Sequence, residues 1–161
     1  MKKRIREALN LFVARDKGKL LEVDIYEPTI SHRIAVYLEG LFPNYDVDCE
    51  YNKHLFDEKG NENGKPIRPD IVVHKRLTDN NCAIIEVKKA GAKSKLAEHD
   101  IQKLKLYLQG KLNYDLGVFI GVLKKRIDIV WVENKNDNII ITEEELNNYG
   151  RRNNENNTQR I

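Results

Sequence analysis

Long apolar runs are missing from this chain. No stretch approaches the roughly 20 residues a membrane-spanning helix needs, and the opening MKKRIREALN lacks the apolar core of a secretory signal. There are 2 cysteines, Cys49 and Cys82, both inside expected strands. They read as reduced core thiols of a cytoplasmic protein rather than as a disulfide framework. With so few cysteines and 4 scattered histidines there is no zinc constellation. A strong net charge is also missing. The 28 Lys and Arg against 25 Asp and Glu leave +3 at pH 7, which permits a nucleic-acid partner without demanding one. Internal repeats are absent too.

What is present is the composition of a soluble domain, 33% charged and 40% hydrophobic over 161 residues. That length suits one core and is short for two. One domain over 1–146 is expected, with a helical extension over 1–26 and a core over 27–132. Residues 147–161, rich in Asn and Arg, read as a flexible tail.

Apolar residues Ile5, Ala8, Leu9, Phe12 and Val13 recur at helical spacing from about Lys3 to Asp16, ending before Gly18. Leu20 to Tyr26 alternates and reads as a strand or an extended linker. Glu27-Pro28 opens a helix with the stripe Ile30, Ile34, Tyr37, Leu38 and Leu41, stopped by Phe42-Pro43. Tyr45 to Tyr51 alternates as a half-exposed strand, with Asp46, Asp48 and Glu50 on the solvent side. Asn52 to Pro66, with Gly60 and Gly64, reads as a surface loop. Ser94 is an N-cap for a helix to about Gln109, whose stripe Ala97, Ile101, Leu104 and Leu108 runs beside Asp100, Lys103 and Tyr107. Leu116 to Leu123 is a buried strand, and Arg126 to Val132 pairs with it. Asn138 to Ile141 adds a last strand, and Thr142 to Glu145 forms a capping box for a short helix. The sum is an α/β layer with a mixed sheet flanked by helices.

Chemistry concentrates in the stretch from Arg68 to Lys89, where RPDIVVHK and CAIIEVKK flank a polar turn and read as a β-hairpin. Alternation puts Asp70 and Val72 on one face of the first strand, and Ile84, Glu86 and Lys88 on one face of the second. Charges among β-branched residues are costly unless paired or bound to a metal. Glu27, at the start of the second helix, can reach the same corner. Clustered carboxylates repel and would partly protonate. A Mg²⁺ ion, held by one or two carboxylates with waters and a substrate phosphate, removes that conflict and suits phosphodiester hydrolysis. Lys88, about 7 Å beyond Glu86 on the same face, would orient the water or neutralise developing charge.

Pro69-Asp70, fifteen intervening residues and Glu86-Val87-Lys88 resemble the signature of the PD-(D/E)xK nuclease superfamily, the restriction-endonuclease-like fold. The resemblance implies an αβββαβ core and a Mg²⁺-dependent DNA endonuclease, with Mn²⁺ as a substitute ion. Asp70 and Glu86 would be metal ligands, Lys88 the catalytic lysine, and Glu27 the extra acidic residue that some branches carry on the first core helix. A polar residue of the following helix often faces such a site, and Gln102, Asp100 and Lys103 are candidates. Gln102 to Tyr107 departs by one residue from the Gln-x-x-x-Tyr motif of the RecB-like branch, so that branch is not assigned. Lys89, Lys93, Lys103, Gln102 and Arg33 are the expected DNA contacts, with Lys95 and Lys105 extending the basic row. RNA is the alternative substrate. No separate specificity domain is visible, so a homodimer or partner subunit would supply target choice.

Each residue has a plainer reading. Asp70 could cap a turn after Pro69; Glu86 and Lys88 could form a surface ion pair; Glu27 could simply favour a helix start. Glu50 is a rival acid that its alternation sends to solvent. His74 reads as a polar core or edge residue, about 13 Å from Asp70 along the strand. Ser31, His32 and Arg33 diverge around their helix and suit supporting roles, and Tyr107 suits the core. The lysine row could be a solvated face. Taken together, these readings make the chain a catalytically silent nuclease-fold module that binds nucleic acid or protein.

Overall fold

The computed structural model describes residues 1–54, 57–58, 68–110 and 112–147. It opens with helix α1 (Lys2–Phe12), a π-helical turn over Val13–Lys17, and α2 (Gly18–Glu22). Helix α3 (Glu27–Leu41) leads into strand β1 (Asp46–Cys49) and a short ribbon of β2 (Lys53–His54) and β3 (Asp57–Glu58). Then come β4 (Ile71–His74), β5 (Asn81–Lys88), α4 (Lys95–Gln109), β6 (Leu116–Val122), β7 (Arg126–Lys135) and β8 (Asn138–Asn147).

Six strands form one mixed sheet in the order β1-β4-β5-β6-β7-β8. Only the β5–β6 pair is parallel, because α4 carries the chain across between them. One face packs Ile71, Val73, Ala83, Ile85, Val118, Ile120 and Trp131 against α1 and α3. The opposite face packs Val72, Ile84, Phe119, Val130 and Val132 against Ala97, Leu104, Tyr107 and Leu108 of α4. The molecule is therefore α/β, with helices on both faces of a mixed sheet, as the pattern of periods implied. No helix among the described residues is long and apolar enough to cross a membrane.

Several expectations are corrected. Leu20 to Tyr26 holds no strand: the helix passes through Gly18 and ends at Glu22, and only Val23 to Tyr26 serve as a linker to α3. The π-helical turn inserts the extra residue that lets Leu20 and Leu21 rejoin the core. The same insertion turns Lys17 inward, where its ammonium donates to the Lys124 carbonyl at 3.2 Å. Cys49 is exposed on the edge strand β1, whereas Cys82 is buried as expected. The short helix expected from Thr142 is absent, since Asn138 to Asn147 is one strand paired in full with β7. Asn136 and Asp137, with φ of 52° and 64°, form the two-residue hairpin turn that starts it. Glu144, the middle of the supposed cap, instead accepts from the Trp131 indole at 3.1 Å and from Arg6. The expected loop over 52–66 and the tail over 147–161 lie mostly outside the described residues. Of them, Lys53–His54 and Asp57–Glu58 pair, and Asn147 ends β8.

Gly121 fixes how the chain leaves the hairpin. It pairs with Lys88, and a Cβ there would collide with the Ala90 carbonyl oxygen. Gly121→Ala is expected to cost about 2 kcal/mol in urea unfolding, since neither the strand nor the crossing link can yield without strain. A change within experimental error would show that the link is free to move.

Candidate functional site

The β4–β5 register is the one that alternation required. Ile71 faces Ile85 and Val72 faces Ile84, so Asp70 comes opposite Glu86 at the end of the hairpin. A register shift between Val73 and His74 disturbs only the far end, next to the turn. Asp70 turns one carboxylate oxygen onto the Val87 N–H at 2.7 Å, so the acid grips the strand that carries Glu86 and Lys88. Burial raises the Asp70 pKa, against the pull of that N–H, Lys88 and Lys103.

Glu86 is 2% exposed. Burial pushes its carboxyl up to about 7, while Lys103 opposes the rise and Asp70 adds to it. Helix α4 lies over this face and contributes two further charges. Asp100 is buried, and the Lys103 ammonium stands 3.0 Å from both Glu86 Oε1 and Asp100 Oδ1. Burial works against the Lys103 charge, but Glu86 and Asp100 outweigh it and hold the amine protonated. Glu86 Oε1 and Asp100 Oδ2 are nonetheless buried without a properly oriented hydrogen bond. For oxygen atoms of acids, that is a standing cost.

The Lys88 ammonium sits between two carboxylates, 3.7 Å from Asp100 Oδ2 and 3.4 Å from Glu27 Oε2. Burial lowers its pKa, yet Asp70, Asp100, Glu27 and Glu86 together raise it further, so it carries a proton. Glu27 also accepts from the Lys89 N–H at 2.9 Å. It thus reaches the hairpin end from the other face of the sheet, with Lys88 between it and Asp100.

The remaining candidates are less central. The Lys89 amine is spent on Asp24 and on the Ile25 carbonyl at 2.9 Å, clamping the turn before α3. Arg33 is bound to Asp16 at 2.9 Å and lies over the Tyr37 ring, which makes it part of the packing of α3 on the N-terminal helices. Lys93 and Gln102 are exposed. Ser31 hydrogen-bonds back to the Glu27 carbonyl. Glu50 is exposed with φ of 50°, and its N–H donates to the Asp70 carbonyl. His74 is buried, bonded to Asp48 at 2.9 Å and stacked edgewise on Tyr51, a polar core residue. Asp48 therefore does not face open solvent as its alternation suggested; Arg76 and His74 hold its pKa down against burial. Tyr107 is buried on the α4 stripe.

No family model, characterised protein or solved structure matches this chain. The functional reading stands on residues and geometry. The donor set suits a hard cation: carboxylate oxygens, two of them buried and unsatisfied, with the exposed His99 ring 3.5 Å from Asp100 Oδ1 at the rim. Among the described residues, no three of His, Cys, Asp and Glu converge closely enough to cage an ion by themselves. Mg²⁺ does not ask for such a cage, being commonly held by one or two carboxylates with waters and phosphate oxygens. The residues present therefore fit a Mg²⁺ ion that substrate would help to hold.

Proposed function

We propose that this chain is a metal-dependent nuclease that hydrolyses DNA phosphodiester bonds, built on a restriction-endonuclease-like core. The observation that carries the proposal is the hairpin end. Asp70 and Glu86 come opposite each other beneath α4, and Lys88 follows on the same face with its amine among carboxylates. Apart from the β2–β3 ribbon, which forms a separate sheet, the order α3, β1, β4, β5, α4, β6 supports the αβββαβ core. Asp70 and Glu86 would hold Mg²⁺ or Mn²⁺, which supplies Lewis-acid polarisation of the phosphate and a more acidic water. Glu27 orients Lys88, and the Lys88 ammonium steadies negative charge on the phosphate as it is attacked. Lys93 and Lys95 are exposed and would meet the phosphate backbone. A cytoplasmic setting and a homodimer or specificity subunit complete the reading.

The test is cleavage of plasmid and branched DNA, with an RNA arm, in Mg²⁺ or Mn²⁺ by wild type and Asp70→Ala. Cleavage is expected from wild type alone, because Asp70 would hold the ion and already anchors β5. Activity that survives the substitution would sink the proposal.

One observation favours a second reading. Lys103 already neutralises Glu86 and Asp100, as it would in a nuclease-fold module whose acids are only structural. That module would show no metal-linked stabilisation. A rise in melting temperature with Mn²⁺, lost in Glu86→Gln, decides against it.

A further inference from the structure

The hairpin corner gathers four carboxylates, Asp70, Glu86, Asp100 and Glu27, around two ammonium groups, Lys88 and Lys103. Of the two cations, Lys103 is the one shared between buried acids. Its nitrogen is 3.0 Å from an oxygen of each, and it comes from the helix rather than from the hairpin. We propose that the Lys103 ammonium is a resident counter-ion of this corner, seated between Glu86 and Asp100 in the ion-free protein and withdrawn when a divalent cation binds. Lys103 would thereby set the cation affinity of the site. The inference rests on the metal-site reading given above.

Three features support an exchange rather than a permanent ion pair. The first is proximity. An ion bound at the usual distance of about 2 Å from Glu86 Oε1 would lie within a few ångströms of an ammonium now 3.0 Å from the same atom. Two cations that close repel strongly in a partly buried site. The second is mobility. The Lys103 side chain is 31% exposed, while those of Glu86 and Asp100 are 3% and 5% exposed. The amine sits on a flexible four-carbon stem with an outlet to solvent, whereas the acids have none. The third is incomplete satisfaction. Glu86 Oε1 and Asp100 Oδ2 still lack an oriented hydrogen bond with Lys103 in place. The lysine cancels charge at this corner without completing its bonding, which leaves a gain for a cation that coordinates directly.

Lys88 differs in each respect. It lies farther from the acids, at 3.4 and 3.7 Å, and it shares Glu27 with the chain that carries it. Its withdrawal is not required.

The experiment is calorimetric titration of the ion-free full chain with Mn²⁺ alone, for wild type, Lys103→Met, Lys103→Gln, Lys103→Arg and Lys88→Met. Thermal melting with and without Mn²⁺ is run alongside. Lys103→Met is expected to bind Mn²⁺ about tenfold more tightly than wild type, and to melt lower than wild type without the ion. Lys103→Gln, equally neutral but polar, guards against failure of the Met variant to fold and should tighten binding in the same direction. Lys103→Arg keeps the charge and should bind no more tightly than wild type. Lys88→Met should gain less than Lys103→Met. Wild-type binding that is unchanged or weakened in both neutral Lys103 variants overturns the counter-ion inference and leaves the metal site standing. Absence of Mn²⁺ binding in every protein overturns the inference together with the metal-site reading. Equal gains in Lys103→Met and Lys88→Met would reduce the effect to net charge, and overturn it too.

Discussion

Replacing Lys88 with methionine is expected to lower Mg²⁺-supported DNA cleavage about a thousandfold, while the rise in melting temperature caused by Mn²⁺ survives. The size follows from the role. A single preorganised charge aimed at a developing anion is worth roughly two to three orders of magnitude in rate. Lys88 is preorganised in the required sense, since Glu27 and Asp100 flank its amine and four acids keep it charged despite partial burial. Its removal also takes positive charge away from the acids that would hold the ion, so cation binding should not weaken. Loss of rate with retention of ion binding is the signature that separates Lys88 from Asp70, whose replacement should abolish both. Lys88→Arg keeps the charge but spreads it over a planar fork that does not match a seat built for one nitrogen, so little rescue is expected. Full activity in Lys88→Met would remove the lysine from the chemistry. Loss of the Mn²⁺ response in the same variant would make it a structural residue of the acid cluster.

The hairpin was readable from the chain because two signals agreed. Alternation set the faces of Ile71 to His74 and Asn81 to Lys88, and the polar turn between them set the register to within one residue. That agreement put Asp70 opposite Glu86. The α4 stripe was equally legible, and it put Asp100 and Lys103 on the site side. What the pattern could not supply is which acid Lys103 would choose, because that depends on where helix and sheet meet in space. The π-helical turn is illegible for a related reason. A one-residue insertion leaves no residue signature, so Gly18 looked like a stop. Thr142-Glu143-Glu144-Glu145 misled through a true local preference. A capping box is worth about a kilocalorie per mole, and it lost to a ten-residue ladder whose Glu144 found Trp131 and Arg6. The turn at Asn136-Asp137 was the available clue, since two residues tolerant of positive φ between apolar runs mark a hairpin. Cys49 was misjudged because alternation gives the face of a strand and says nothing of whether that strand lies at an edge.

The second large effect concerns stability rather than rate. The ion-free protein is expected to lose about 3 kcal/mol of folding stability between about pH 5 and about pH 8, and Glu86→Gln to remove most of that loss. Glu86 titrates near 7 when folded and near 4.5 when unfolded. Between those values the folded state holds the proton that the unfolded chain has released. The contribution is therefore fully present below 4.5 and is lost as pH rises through 7, where a desolvated carboxylate must carry charge. A shift of about 2.5 units at 1.36 kcal/mol per unit gives the magnitude. Asp70, also raised by burial, acts in the same direction. The groups that act oppositely lie outside the window. Asp16, Asp48 and Asp128, held low by their partners, lose stability only in acid. Lys17, lowered to about 8 by burial, adds stability only in more alkaline solution. Mn²⁺ should reverse the slope, because the ion binds the ionised carboxylates and its affinity grows as Glu86 gives up its proton. Urea unfolding across this range, with and without Mn²⁺, measures both effects. A flat profile in the ion-free wild type, or an unchanged slope in Glu86→Gln, would mean that Lys103 already keeps Glu86 ionised at every pH in the range. In that case the corner would offer an incoming cation no proton to displace, only an ammonium.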